Sequence, residues 1–387
     1  MDRVHDPLMS PLVWDLAHIA AFEELWLCMR TGGREPMHPD LLDVYDALET
    51  PRAVRGDVPH LDLRGALDYL NTVREGSLAV LATGAGDEVW EMVIQHEHQH
   101  NETMLQTLAL AEPGVYVARQ RPPRPRAAVR TGGMVRIPAG PFLAVAAAAG
   151  FAYDNERPRH EVELPEFQID ALPVTNGEFM EFVEGGGYAR REWWSEDGWA
   201  WIREYGIERP LRWAPDGRER RFERTEDVDP ELPVMHVSWF EADAYARSRG
   251  RRLPTELEWE KAAAWGPGAR APRTYPWGED HPTPERANLD QTAFGPVPAG
   301  ALAAGASAYG VLGLVGDVWE WTASEFRGYP GFAAHPYPEY SEVFFGPDYR
   351  VLRGGSWATR ARVARSTFRN WDLPQRRQIF AGFRCAA

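Results

Sequence analysis

The chain has 387 residues, enough for two or three domains, and its hydrophobic (44%) and charged (26%) shares are those of a soluble globular protein rather than a disordered one. A net charge of −15, with no Lys/Arg run carrying interleaved aromatics, argues against a nucleic-acid partner. Cys28 and Cys385 are the only cysteines, which argues against a disulfide framework and fits a reducing cytoplasm; no stretch has the length and apolarity of a signal peptide or a membrane span.

From Ser10 to about Leu110 the apolar pattern is helical. Ser10-Pro11 reads as a helix start, followed by Leu12, Trp14, Leu16, Ile19, Phe22, Leu25 and Trp26 at helix-like spacing. A loop from Pro51 to Pro59 precedes two further helices, Asp62 to Leu81 and Glu88 to Ala111. Three or four such helices predict a bundle, whose facing helices can assemble a metal site. The third helix carries three of the chain's eleven histidines within five residues. His96 and His100 stand one turn apart on a single face, the relation that lets two imidazoles grip one ion, whereas His98 points elsewhere. His18, on the first helix, is the candidate third ligand. The residue types alone suit zinc as well as ferrous iron.

Residues 112–133 are rich in Pro and Arg and read as a connector. From Met134 onward short β-like runs (Met134 to Pro138, Phe167 to Asp170, Val234 to Trp239) alternate with Gly-, Pro- and Trp-rich loops. Helical patches are brief: Asn176 to Gly185, Trp239 to Arg249 and Thr255 to Ala264. This predicts a loop-dominated α+β domain held by aromatic packing.

Five strings in this order, Pro173-Val-Thr-Asn176, Arg252-Leu-Pro-Thr-Glu-Leu-Glu-Trp-Glu-Lys261, Gly316-Asp-Val-Trp-Glu-Trp321, Arg353-Gly-Gly-Ser-Trp357 and Ala381-Gly-Phe-Arg384, resemble the formylglycine-generating-enzyme/sulfatase-modifying-factor fold, a C-type-lectin-like architecture. Those enzymes use a late cysteine pair; only Cys385 is present here, so that chemistry is not implied. The stretch Ser10 to Trp26, with His96, His100 and Glu102, resembles the DinB-like domain of the ergothioneine-biosynthesis sulfoxide synthases, which join these two domains in this order. The resemblance is closest to the mycobacterial type and strongest at Ser10 to His18, Tyr337 to Phe345 and Phe368 to Arg384. It implies a DinB-like four-helix bundle over 1–120, a connector over 121–133 and a formylglycine-generating-enzyme-like domain over 134–387.

The resemblance also implies site roles. His18, His96 and His100 would be a facial ligand set for Fe(II), leaving positions for substrate sulfur and O₂, with Glu102 supporting them from behind. Gln99, Tyr340, Asn370 and Trp371 match residues that contact the betaine hercynine, whose quaternary ammonium is best met by aromatic faces. Asp372 and Arg376 match residues holding γ-glutamylcysteine, as do Arg52 and Arg55, whose residue-level alternative is a pair of solvated loop arginines. Tyr337 matches the catalytic tyrosine, a proton donor to reduced oxygen that steers the reaction to C–S coupling rather than thiol dioxygenation. The implied activity is an Fe(II)- and O₂-dependent sulfoxide synthase acting on hercynine and γ-glutamylcysteine in the cytoplasm. Alternatives are the same fold with cysteine or a selenosugar as donor, a zinc-dependent DinB-like thiol S-transferase, and a non-catalytic binding module.

Overall fold

The computed structural model describes residues 1–84, 87–118, 125, 132–147 and 149–387; the connector expected over 121–133 lies, apart from 125, 132 and 133, outside them. The chain divides into two compact units, Met1–Ala118 with Phe222–Arg224, and Arg119–Arg221 with Thr225–Ala387. No helix among the described residues is long and apolar enough to cross a membrane.

The first unit is built on three helices, α1 (Leu12–Glu23), α2 (Leu63–Leu81) and α3 (Asp87–Leu110). Its core places Val13, Trp14, Ala17 and Ala20 of α1 against Ala66, Tyr69 and Val73 of α2. These positions recur every three or four residues, so each set forms one helix face, and the alanines let the backbones approach closely. Asp62 caps α2 by accepting the Gly65 amide at 2.8 Å. The expected start of α1 at Ser10-Pro11 is corrected by one residue: the helix begins at Leu12 with no side-chain cap. The Ser10 hydroxyl is engaged elsewhere, accepting from Arg55 Nη1 at 2.9 Å. Beyond Glu23 the helix widens into a π-helical stretch, Glu24–Thr31. A fourth long helix is absent among the described residues. Between 32 and 62 only single 3₁₀ turns form, Pro39–Leu41 and Arg52–Val54, because Pro36, Pro39, Pro51 and Pro59 each remove an amide donor.

The second unit holds ten strands among its described elements and those shared with the first unit, β1 (Met134–Ile137), β2 (Gly140–Ala144), β3 (His160–Leu164), β4 (Phe167–Asp170), β5 (Arg218–Arg221), β6 (Arg224–Asp227), β7 (Trp319–Phe326), β8 (Gly346–Arg353), β9 (Asn370–Asp372) and β10 (Ala381–Gly382). The largest sheet has the order β10-β7-β8-β9, which leaves β9 on an edge. The helices are α4 (Asn176–Glu184), α5 (Glu196–Tyr205), α6 (Trp239–Ser248) and α7 (Glu256–Ala264). Three begin with reciprocal caps, Thr175 with Glu178, Ser238 with Glu241 and Thr255 with Glu258. The β-like run expected from Val234 to Trp239 is not a strand. Its backbone turns left-handed at His236 (φ 63°), and Ser238 then caps α6 by accepting the Glu241 amide.

Four of the five sequence strings meet in the core through buried ion pairs. Glu320 of β7 accepts from Arg384 Nε and Nη2, both at 2.7 Å, and from the Trp259 indole at 2.7 Å. Arg353 donates to Glu260 at 2.6 Å, and Arg369 donates twice to Glu256 at 2.8 and 2.9 Å. At Gly354 (φ 95°) a Cβ would stand 2.4 Å from the Leu314 carbonyl, so only glycine fits there.

Glu320→Ala would leave the buried Arg384 guanidinium without its carboxylate and the Trp259 N–H without its acceptor. We expect a loss of about 3–5 kcal/mol in unfolding free energy, measured by urea titration.

Candidate metal centre and substrate loops

The first unit brings His18, His96 and His100 together, with one ring nitrogen of each within 4.8 Å of the others. The predicted spacing explains this: His96 and His100 share a face of α3, and His18 comes from the face of α1 that meets it. His18 Nε2 lies 3.2 Å from His96 Nε2. The His100 ring centroid is 4.6 Å from that of His18 and 4.5 Å from that of His96. His98 is not one of the group.

Packing fixes the orientation of two rings. His18 stacks on Trp14 (centroids 4.9 Å apart), and His96 stacks on Phe22 at 3.7 Å. His18 Nδ1 lies 2.6 Å from the Tyr45 carbonyl. A carbonyl only accepts, so the ring proton sits on Nδ1 and the Nε2 lone pair faces the other histidines. Two inward nitrogens 3.2 Å apart repel unless a proton or a cation lies between them. Burial, followed by the neighbouring His100, pushes His18 and His96 well below the ordinary imidazole range, so both remain neutral near pH 7. Asp15, 1% exposed, sits 3.5 Å from His100 Nδ1, and neither of its carboxylate oxygens has a hydrogen bond. An orphaned carboxylate behind an imidazole is the arrangement that orients metal-bound histidines. The residues fit a divalent transition metal.

Glu102 is buried two residues beyond His100, while Gln99 is half-buried and donates to the Gln95 carbonyl at 3.3 Å. Arg55 is not a solvated loop arginine. It is buried, lies over the Trp14 ring at 3.7 Å, and donates to Thr50 O, Ser10 Oγ and Ala47 O. Of its five N–H groups, one on each terminal nitrogen remains. Arg52 is exposed. Sequence reasoning passed over Asp15 and Tyr45. Asp15 carried a signal, an acid three residues before His18 on an apolar helix face; Tyr45 acts through its backbone carbonyl and carried none.

In the second unit, Asn370, Trp371 and Asp372 form the edge strand β9, paired with Leu352, Val351 and Arg350 of β8. The Asn370 side chain accepts the Trp371 amide at 2.9 Å, and Asp372 accepts the Leu373 amide at 2.8 Å. Trp371 stacks on Phe326 at 4.1 Å, which covers one face of the indole, and meets Tyr340 edge-on at 6.0 Å. Asp372 and Arg376, expected as separate clamps, also face each other at 3.5 Å. Arg376 Nε and Nη1 are buried without a hydrogen bond. Tyr337 is half-buried, and its ring meets Tyr340 edge-on at 6.3 Å. The second unit thus assembles Tyr340, Trp371, Asp372 and Arg376 around β9, with Tyr337 beside Tyr340.

Residues 119–387 match the model of the sulfatase-modifying factor enzyme 1-like domain. The hercynine oxygenase of Mycobacterium tuberculosis is 50% identical over 393 residues, covering 99% of this chain and 92% of that protein. The hercynine oxygenase of Mycolicibacterium thermoresistibile is 49% identical over 401 residues, covering 99% and 89%. The chain belongs to the hercynine oxygenase family. It is an oxygenase whose helical unit carries a three-histidine group suited to a metal. The formylglycine-generating enzyme of Streptomyces coelicolor is 34% identical over 333 residues, 72% of this chain and 96% of that protein. The formylglycine-generating-enzyme-like part expected from the five strings is therefore present, whereas the late cysteine pair is not.

Asp15→Asn keeps the side-chain volume but removes the charge behind His100. Metal affinity, measured by competition with a chelator, should fall about 10- to 100-fold with the fold intact by circular dichroism.

Proposed function

We propose that this chain is a sulfoxide synthase of ergothioneine biosynthesis that couples the sulfur of γ-glutamylcysteine to the imidazole C2 of hercynine. In the balanced reaction the thiol, the C2–H imidazole and one O₂ give the C–S sulfoxide and one water. The observation that carries this reading is the three-histidine group, with the Nε2 of His18 turned inward, in a chain half identical to hercynine oxygenases over nearly its whole length. His18, His96 and His100 would hold Fe(II), which supplies the one-electron steps of oxygen reduction and sulfur oxidation when bound. The helical unit is read as DinB-like, with Gln99 facing hercynine and Glu102 supporting the ligand helix.

The remaining chemistry falls to positioning and to one proton. The indole of Trp371, with Tyr340 edge-on to it, would suit a quaternary ammonium, which cannot donate hydrogen bonds and is attracted by ring faces. Asn370 would orient the same substrate. Asp372 would take the ammonium of the thiol peptide and Arg376 a carboxylate. Their mutual contact at 3.5 Å keeps both charges balanced before substrate arrives. Arg52 and Arg55 would meet the other carboxylate of the peptide, Arg55 through its two uncommitted hydrogens. Tyr337 would hold a proton on its phenol oxygen and release it as oxygen is reduced. Without that proton the thiol and O₂ combine to the sulfinic acid instead, a reaction that also balances.

The decisive experiment is anaerobic iron loading, followed by O₂ uptake and product mass spectrometry with hercynine and γ-glutamylcysteine, free cysteine or a selenosugar. Coupled sulfoxide from the peptide is the expected result. Zinc content with no O₂ uptake would overturn the reading, and turnover of the selenosugar alone would change the donor. Tyr337→Phe should retain substrate binding while the coupling rate falls by about 10²-fold and sulfinic acid accumulates. Asp372→Ala should raise the KM for the thiol peptide by about tenfold or more and leave that for hercynine within about twofold. Equal losses for both substrates would remove Asp372 from its assigned role.

A further inference from the structure

We infer that Ser341, gripped by Asp154 and Asn155, is the residue that positions Tyr337; this rests on the reading of Tyr337 as the proton donor. Residues 331–345 run over the surface as a loop with two single turns, Pro338–Tyr340 and Glu342–Phe344. Ser341 is the only buried residue in this stretch, at 0% exposure. A segment with so little buried area opens locally at low free energy unless something pins it. A phenol that must deliver one proton in one direction needs such a pin, because misplacement by about 1 Å costs about 10²-fold in rate.

The pin is built from a single turn, Asp154–Glu156. The Ser341 hydroxyl donates to Asp154 Oδ1 at 2.5 Å and accepts from Asn155 Nδ2 at 3.0 Å. The other Asp154 oxygen accepts the His335 amide at 3.3 Å. The loop is therefore held two residues before Tyr337 and four residues after it. Pro336 and Pro338 flank the tyrosine and restrict the backbone between the two anchors. Tyr153, which precedes the turn, stacks on Tyr340 at 4.2 Å with planes 10° apart, and Tyr340 in turn meets the Tyr337 ring.

The turn itself cannot drift. Glu156 is fully buried and accepts from the Arg365 guanidinium and from Thr367 Oγ1 at 2.7 Å. The Asn155 carbonyl accepts from Arg369 Nη1 at 2.8 Å. Arg369 is the residue immediately before β9, so one hydrogen-bonded path runs from Ser341 through Asn155 and Arg369 to Asn370 and Trp371. The same turn thus fixes the Tyr337 loop and references it to the strand proposed to hold hercynine. No atom of Ser341, Asp154 or Asn155 is assigned to a substrate; their action is on where the phenol stands.

The test compares Ser341→Ala, Ser341→Thr, Asp154→Asn, Tyr337→Phe and the Tyr337→Phe/Ser341→Ala double variant of the full iron-loaded chain, with hercynine and γ-glutamylcysteine. Two readouts are taken: the ratio of sulfinic acid to sulfoxide, and hydrogen exchange at the amides of 335–345 in the protein without substrates. Ser341→Ala should raise the ratio about tenfold, leave both KM values within about twofold, and speed exchange across the loop. Ser341→Thr should restore the wild-type ratio, and the double variant should show the ratio of Tyr337→Phe alone. Should Ser341→Ala melt early, Asp154→Asn weakens the same pin at constant volume and should shift both readouts in the same direction. A wild-type ratio in both Ser341→Ala and Asp154→Asn, with Tyr337→Phe diverting product, overturns the positioning role and leaves the proton-donor reading standing. An unchanged ratio in Tyr337→Phe overturns the proton-donor reading itself, and the positioning role with it.

Discussion

The second unit depends on carboxylates that are taken out of water only because a guanidinium goes with them. Glu320 with Arg384, Glu260 with Arg353, Glu256 with Arg369 and Glu156 with Arg365 each join segments far apart in the chain. Such pairs contribute little net stability over an apolar core, but an uncompensated partner is costly, so every loop they join must adopt one arrangement or break the pair. That constraint suits a unit whose largest sheet has only four strands and much of whose chain runs in loops. Rigidity that an ordinary domain draws from regular layers is here drawn from buried charge, indole N–H groups and tight glycine turns.

The helical unit meets a different requirement by simpler means. Three imidazoles must point inward and hold still. Burial disfavours the charged forms of His18 and His96, Trp14 and Phe22 fix two ring planes, and the Tyr45 carbonyl selects the tautomer of His18. Asp15 adds a buried negative charge behind the third ring. Each device is local and belongs to helices whose register follows from their apolar spacing.

That difference explains what could be read in advance. The His96–His100 pair and the helix carrying it followed from the 3.6-residue period, and the α1 face with His18 followed from the same rule. Two of the five strings of the second unit hold helix starts, Thr175 and Thr255, each followed by a glutamate three residues on, and Ser238 outside them follows the same rule. What the period could not give were contacts between residues with no fixed spacing. Arg55 could be read equally as a substrate contact or a solvated loop arginine, because its partners, Ser10, Ala47 and Thr50, include two backbone carbonyls. The Val234 to Trp239 run looked like a strand because its burial is continuous, and a left-handed residue at 236 leaves no trace in hydrophobicity. The assignment of Tyr337 came from family resemblance alone, while the grip on its loop, made by residues almost 190 positions away in sequence, had no signal at all.

The edge position of β9 has one more effect. A terminal strand offers a row of amides and carbonyls to any extended chain that comes near, and such edges seed association between molecules. Here the Asn370 and Asp372 side chains fold back onto the amides of Trp371 and Leu373. Two of the donors that a stray strand would use are already satisfied from within. Asn370 and Asp372 therefore blunt this edge whatever else they do, and replacing either with an apolar residue unmasks an adhesive border.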